Sequence, residues 1–257
     1  MKGLLGLVVV ASGPLLASAA TFDHSAFDAL LAKHVAGGLV DYDAFRKDAT
    51  FRAYLDALAR ADLAQLPEPE RLAFWINAYN AYTIELINRH GERESIRNIN
   101  KTLGLTLKGP WREPLVRAAG KVYHLDNVEH DIIRKQFHEP RIHFALVCAA
   151  LSCPPLRNEA YTGAKLDAQL ADQAQVFLRR SPAQNRVDVP GRTVYLSMIF
   201  EYYKDDFGGT DAAIGRYVAR FYPQGPERQL LESGDFTLRK TEYDWTLNSR
   251  EKANRPR

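Results

Sequence analysis

The chain has 257 residues, of which 46% are apolar and 25% charged, and its formal net charge is +3. This is the balance of an ordinary globular protein, and a chain of this length buries about 70% of its unfolded surface, so it needs neither metal nor disulfide to fold. Lys and Arg are scattered, densest in the tail from Arg250 to Arg257, and no arginine-and-aromatic strip suited to stacking bases is present, so nucleic acid is not an expected partner.

At the N-terminus, Lys2 precedes an apolar run from Leu4 to Leu16, and Ala17-Ser18-Ala19-Ala20 follows with small residues at alternating positions. This is the layout of a secretory signal peptide over residues 1–20. The run is shorter than the roughly 20 residues of a spanning helix. With no later segment long and apolar enough to cross a bilayer, the mature chain is expected to be periplasmic or secreted. Residues 21–248 read as one domain, and residues 249–257 as a disordered basic tail.

In chain order, His24 to Val35 has helical periodicity and is stopped by Gly37-Gly38, and Phe51 to Ala61 is a second helix. Pro67-Glu68-Pro69-Glu70 marks a helix start, with acids at the positive end of the helix dipole. The helix from about Glu70 to Arg89 is apolar nearly all round, which predicts a buried central helix. It carries Asn77 and Asn80, whose amides need partners if buried. These two either tie down neighbouring loops or form the polar edge of a site.

Lys121 to Leu125 reads as a strand. Asp126 to Glu129 has the spacing of a capping box, which gives Glu129 a structural duty beside any catalytic one. Ile142 to Cys148 is the strongest strand candidate. Regular alternation there puts His143, Ala145 and Val147 on one face and Cys148 on the other, with a turn at Ala149 to Ser152. Leu166 to Arg179 is helical, and Val187 to Val189 with Thr193 to Leu196 form a hairpin. Ser197 and Asp211 are expected helix caps, and Phe236 to Tyr243 the last strand.

Chemistry gathers in Arg141 to Arg157, which holds one imidazole, two thiols, a hydroxyl and two guanidinium groups. A thiol site would use Cys153 as nucleophile, His143 or His130 as base, and Asn77, Asn80 or Glu129 to orient that base. A Cys148–Cys153 disulfide is the competing arrangement, and the expected compartment permits it. Histidine and cysteine spacings match no short zinc motif, so no metal and no cofactor is expected. Arg141 is suited to holding a carboxylate or phosphate, or else to pairing with Glu129 or Asp131.

Phe74-Trp-Ile-Asn-Ala-Tyr-Asn80, His124-Leu-Asp-Asn-Val-Glu-His130, Arg141-Ile-His-Phe-Ala-Leu146, Ser152-Cys-Pro-Pro-Leu156 and Tyr243-Asp-Trp-Thr-Leu-Asn248 resemble, in order, signatures of the family known as domain of unknown function 547. The resemblance spans about Leu72 to Asn248. It implies a helix-then-sheet order similar to papain-like and transglutaminase-like hydrolases, although here the central helix bears no thiol.

The expected fold is α+β within the broader α/β class, a buried helix packed on a mixed or antiparallel sheet. The expected site comprises Cys153, His143, His130 and Glu129 as catalytic residues, with Asn77, Asn80, Arg141 and Ser152 binding. Two functions follow. One is a thiol-dependent hydrolase or acyl transferase acting on an amide or ester of a small molecule or peptide. The other is a non-catalytic binding or envelope-associated domain with a structural disulfide.

Overall fold

Apolar residues at helical spacing fold the N-terminal part of the chain into helices α1 (Ser25–His34), α2 (Tyr42–Lys47), α3 (Ala49–Arg60) and α4 (Glu68–His90). They are seen in a computed structural model that describes residues 20–102, 105–106 and 109–253. The signal segment expected over residues 1–20 lies, except for Ala20, outside the described residues.

The starts and stops have local causes. Asp41 and Asp48 cap α2 and α3 by accepting from the backbone N–H of Ala44 and Thr50. Helix α4 begins with Pro69 in its first turn and ends at Gly91, which takes the left-handed conformation (φ 60°). Strands β1 (Val35–Ala36) and β2 (Leu39–Val40) form a hairpin around Gly37-Gly38. Gly38 has φ +82°, and a side chain there would collide with Pro155.

Helix α4 is the buried central helix its sequence predicts, since Phe74, Ile76, Ala78, Tyr79, Ala81 and Ile84 are each at most 2% exposed. Its neighbours are α2, α3, a π-helical segment at Asn127–Ile133 and strand β5. Two further antiparallel hairpins join β3 (Lys101–Thr102) to β4 (Leu105–Thr106) and β5 (Val116–Ala118) to β6 (Lys121–Tyr123). The π-helical segment runs on into the short helix α5 (Arg134–Phe137).

A second core lies under α6 (Leu166–Arg180), β7 (Arg186–Asp188), β8 (Thr193–Leu196), α7 (Ile199–Tyr202), α8 (Asp211–Ala219), α9 (Pro226–Ser233) and β9 (Thr237–Lys240). Strand β8 is central, antiparallel to β7 and parallel to β9, so this sheet is mixed. The whole is α+β, but its sheets are small. Helix α4 packs on strand β5, on helical segments, and on irregular chain at Ala145, Val147 and Tyr161. Helix α8 is capped by the Thr210 hydroxyl, not by Asp211, which is already its first residue. Ser249 is buried and Arg250–Ala253 forms α10, so the expected disordered tail does not begin at Ser249. Residues 254–257 lie outside the described ones. Among the described residues no helix is long and apolar enough to cross a membrane.

The strand expected over Ile142 to Cys148 is not formed. Pro140–Phe144 is a turn of 3-10 helix, in which the Glu139 side chain accepts from Arg141 N–H and the Glu139 carbonyl from Ile142 N–H, and residues 145–148 run on without a ladder. A short apolar run marks burial without fixing secondary structure, and here it lies along the seam between the cores. Ile142 and Ala145 pack into the first core and Phe144 into the second. The alternating faces expected for His143 and Cys148 therefore do not apply.

Side-chain amides supply what a ladder would have supplied. Asn80 accepts from Val147 N–H at 2.9 Å and donates to the Ala145 carbonyl at 2.9 Å. Asn77 does the same for Tyr161, accepting at 3.0 Å and donating at 2.7 Å. Beyond Cys148 the chain is pinned by the C-terminal segment. Asn248 N–H donates to Ala149 O, Leu151 N–H to Thr246 O and Ser152 N–H to Asp244 O. Ser152 Oγ accepts from Asp244 N–H at 2.8 Å.

Asn80→Ala leaves two buried backbone groups unpaired and is expected to lower unfolding free energy by about 2–4 kcal/mol. Urea denaturation at neutral pH measures this, and a loss under about 1 kcal/mol would show that the loop finds other partners. A second expectation concerns His24, which is buried with Nδ1 2.7 Å from the Tyr54 hydroxyl, and whose pKa burial pushes down to about 4. The unfolded chain then binds this proton more readily, so stability is full above about pH 6.5 and declines as pH falls toward 4. Thermal melts of His24→Phe should show a flatter decline over that window than the parent. Equal slopes would refute the assignment.

Candidate functional site

Where the two cores meet lies a partly open cavity of about 220 Å³. Its walls come from α4 (Tyr79), the π-helical segment (Glu129, His130), the 3-10 turn (His143), the cysteine loop (Cys148, Cys153), the start of the second core (Tyr203) and the C-terminal segment (Tyr243, Trp245).

Glu129 is buried, and the hydroxyls of Tyr79 and Tyr203 hydrogen-bond to it. Burial first, and then this carboxylate, push both phenols up from their ordinary range, so they remain donors. The expected capping box does not exist. Asp126 already has helical dihedrals and makes no side-chain cap, and Glu129 sits within the π-helical turn. Such turns carry an extra residue per turn and occur frequently at functional sites. Glu129 is thereby relieved of the duty its spacing suggested.

The two histidines are held through one carboxylate. Asp206 Oδ2 accepts from His143 Nε2 at 2.7 Å and from Arg134 Nε at 2.7 Å, while Oδ1 accepts from Arg134 Nη2 at 2.8 Å. These hydrogen bonds, from His143 first and then Arg134, hold the Asp206 carboxyl well below the usual carboxylate range. A carboxylate only accepts, so His143 donates from Nε2 and, when neutral, leaves Nδ1 as an acceptor. That Nδ1 is buried without a hydrogen-bond partner. Arg134 Nη1 also lies 3.1 Å from His130 Nδ1. A guanidinium only donates, so neutral His130 carries its proton on Nε2. The His143 ring stacks on Tyr203 with centroids 3.8 Å apart.

Cys148 and Cys153 form a disulfide across a Cα separation of 6.1 Å, and no cysteine is free. The Tyr243 hydroxyl lies 3.1 Å from the Cys148 sulfur and 3.3 Å from that of Cys153. Cys148 N–H points at the Cys153 sulfur, 2.9 Å away. Tyr243 also begins an aromatic wall. Its centroid is 6.1 Å from Tyr202 and 4.6 Å from Trp245, which is 6.0 Å from Trp111.

Of the residues predicted from sequence, Cys153, His143, His130 and Glu129 all line this cavity, and the other four do not. Asn77 and Asn80 are occupied by backbone, and Ser152 is buried against Asp244 N–H. Arg141 pairs with Glu139 at 2.6 Å and Asp167 at 2.8 Å, correcting the expected partners Glu129 and Asp131. Sequence reasoning missed Tyr79, Tyr203, Trp111 and Tyr202 in the cavity wall, and Asp206 behind it. Tyr79, like Tyr243 and Trp245, carried a signal as part of a recognised motif. Among the described residues, no group of three His, Cys, Asp or Glu side chains is placed to hold a metal ion.

Residues 63–178 match the model of the family described as "Protein of unknown function, DUF547", so the chain carries a domain of that family, as its motifs indicate. The matched segment holds Glu129, His130, His143 and both cysteines. Tyr203, Asp206, Tyr243 and Trp245 lie beyond it. No curated protein and no solved structure matches the chain.

Asp206→Asn keeps the shape of the side chain and removes its charge. It is expected to destabilise the protein by about 1–2 kcal/mol at pH 7, partial exposure screening the rest. Because the folded carboxyl titrates below the unfolded value of about 3.9, its contribution is complete above that pH and is lost as pH falls through the lower folded value. Chemical denaturation of parent and variant at pH 7 and pH 3 reads both effects. The gap between them should narrow at the lower pH, and a constant gap would contradict the assignment.

Proposed function

We propose that this DUF547-domain chain is an exported, non-catalytic binding domain, and that its ligand occupies the cavity between the two cores. The observation that carries this reading is the disulfide in the cavity wall. With both sulfurs joined, the chain offers no thiol nucleophile, while a partly open cavity lined by a buried carboxylate, two oriented imidazoles and several rings remains. A few directed polar groups in an otherwise apolar, preformed hollow are the usual marks of a small-molecule site. The leader-like N-terminus agrees with a compartment in which such a bridge persists. A papain-like arrangement would instead need a free sulfur opening the central helix, and α4 opens with Glu68-Pro69-Glu70.

One observation favours thiol chemistry as a second reading. The Cys153 sulfur is approached by two donors, Cys148 N–H and the Tyr243 hydroxyl. After reduction by an external thiol, the same donors would hold a Cys153 thiolate. That thiolate would attack an amide or ester carbonyl and expel the amine or alcohol, and water would then cleave the thioester.

The two readings separate in one pair of measurements on the purified full chain. A fragment survey by NMR on the oxidised protein should perturb the indole signals of Trp111 and Trp245. Hydrolysis of p-nitrophenyl acetate should show no component that dithiothreitol induces and Cys153→Ser removes. Ligands that bind only after reduction, or an esterase rate with that dependence, would overturn the binding reading in favour of the hydrolase.

A further inference from the structure

Glu129 and Asp126 give the cavity two carboxylates beside its imidazoles, phenols and indoles, and no lysine or arginine is among the lining residues. Asp126 has an outside partner, Arg112, at 3.1 Å, and this exposed pair contributes little. Glu129 receives phenol hydroxyls, which leave some of its acceptor positions open, and the cation that feels its charge, Arg134, is committed to both oxygens of Asp206 and does not line the cavity. Open acceptor positions on a buried carboxylate favour a bound molecule that donates to them. Tyr203 packs this carboxylate against His143, its hydroxyl bonding Glu129 while its ring stacks on the imidazole.

The remaining surface suits the same kind of molecule. The faces of Trp and Tyr attract cations, and the wall runs unbroken through Tyr202, Tyr243, Trp245 and Trp111. Two arginines already use rings at its margin, Arg97 over Trp245 at 5.3 Å and Arg134 over Tyr203 at 5.3 Å. Neither lines the cavity. A volume of about 220 Å³ is smaller than the roughly 300–1,000 Å³ typical of drug-sized sites.

From these features we infer that the cavity takes a small organic ammonium ion, its N–H donors meeting Glu129 and its alkyl part lying on the aromatic wall. The inference rests on the binding reading above and names the ligand class for it.

Three probes of nearly equal shape isolate the charge: neopentylammonium, neopentyl alcohol and pivalate. Each is titrated into the oxidised full chain while tryptophan fluorescence is followed. Neopentylammonium should bind at least about tenfold more tightly than the alcohol, and pivalate more weakly still. Glu129→Gln should weaken the ammonium about tenfold and leave the alcohol unchanged. If that variant does not fold, the comparison of probes on the parent chain decides alone. Equal or tighter binding of the alcohol or of pivalate overturns the ammonium inference and leaves the binding reading standing. Silence from all three in a protein that binds fragments by NMR also rejects the ammonium alone. Silence in both experiments rejects the cavity as a binding site.

Discussion

The Asn80 carboxamide fixes the chain where the site is made. Buried backbone groups must be paired, and an apolar stretch inside a protein normally pairs them in a helix or a sheet. Residues 145–148 do neither. One side chain of α4 meets Ala145 and Val147 together, and the chain is then free to change direction. It does so at Ala149, which takes a positive φ of 59° that residues with a Cβ seldom adopt. That bend returns Cys153 to Cys148 and turns the pair toward the cavity. Without the amide, the loop would have to be either a strand or solvated, and both would move the sulfurs.

The central helix was legible because its evidence is local and redundant. Burial all round, acids and proline at one end and glycine at the other agree with one another. The same holds for α1, α3, α6 and the β7–β8 hairpin. Ile142 to Cys148 was misread because apolar composition reports burial alone, and the partner that replaced a neighbouring strand is an asparagine 65 to 67 positions away. Glu129 was misread for a related reason. Capping-box spacing is a pattern of residue types, whereas the helical run that leads into the π-helical segment begins at Leu125 and leaves Asp126 inside. Four cavity residues were legible because they stood among unusual neighbours. Asp206 was not, since one acid in Lys204-Asp205-Asp206 looks like any solvated charge until His143 and Arg134 are brought to it.

The cavity belongs to neither core alone. Its carboxylates and imidazoles come from residues 126–143, within the segment that matches the DUF547 family model, and much of its aromatic lining comes from residues 202–245, outside it. Asp206 is the clearest tie across the seam, because one carboxylate fixes the proton positions of two histidines while binding a guanidinium at both oxygens. The electrostatic character of the hollow is thus set by a residue that does not line it.

The clasp around the cysteine loop is made by residues 244–248, and Asn248 reaches further still. It accepts from the Tyr42 hydroxyl at 2.6 Å and donates to the Gly38 carbonyl, partners more than 200 positions earlier. Contacts so far apart in sequence close slowly. A ribosome delivers the first helices long before Tyr243 and Trp245 emerge, so a nascent chain passes through a stage with both cysteines present and no tyrosine over them. Pairing of the thiols can precede completion of the hollow, and the last wall then closes over a bridge already made.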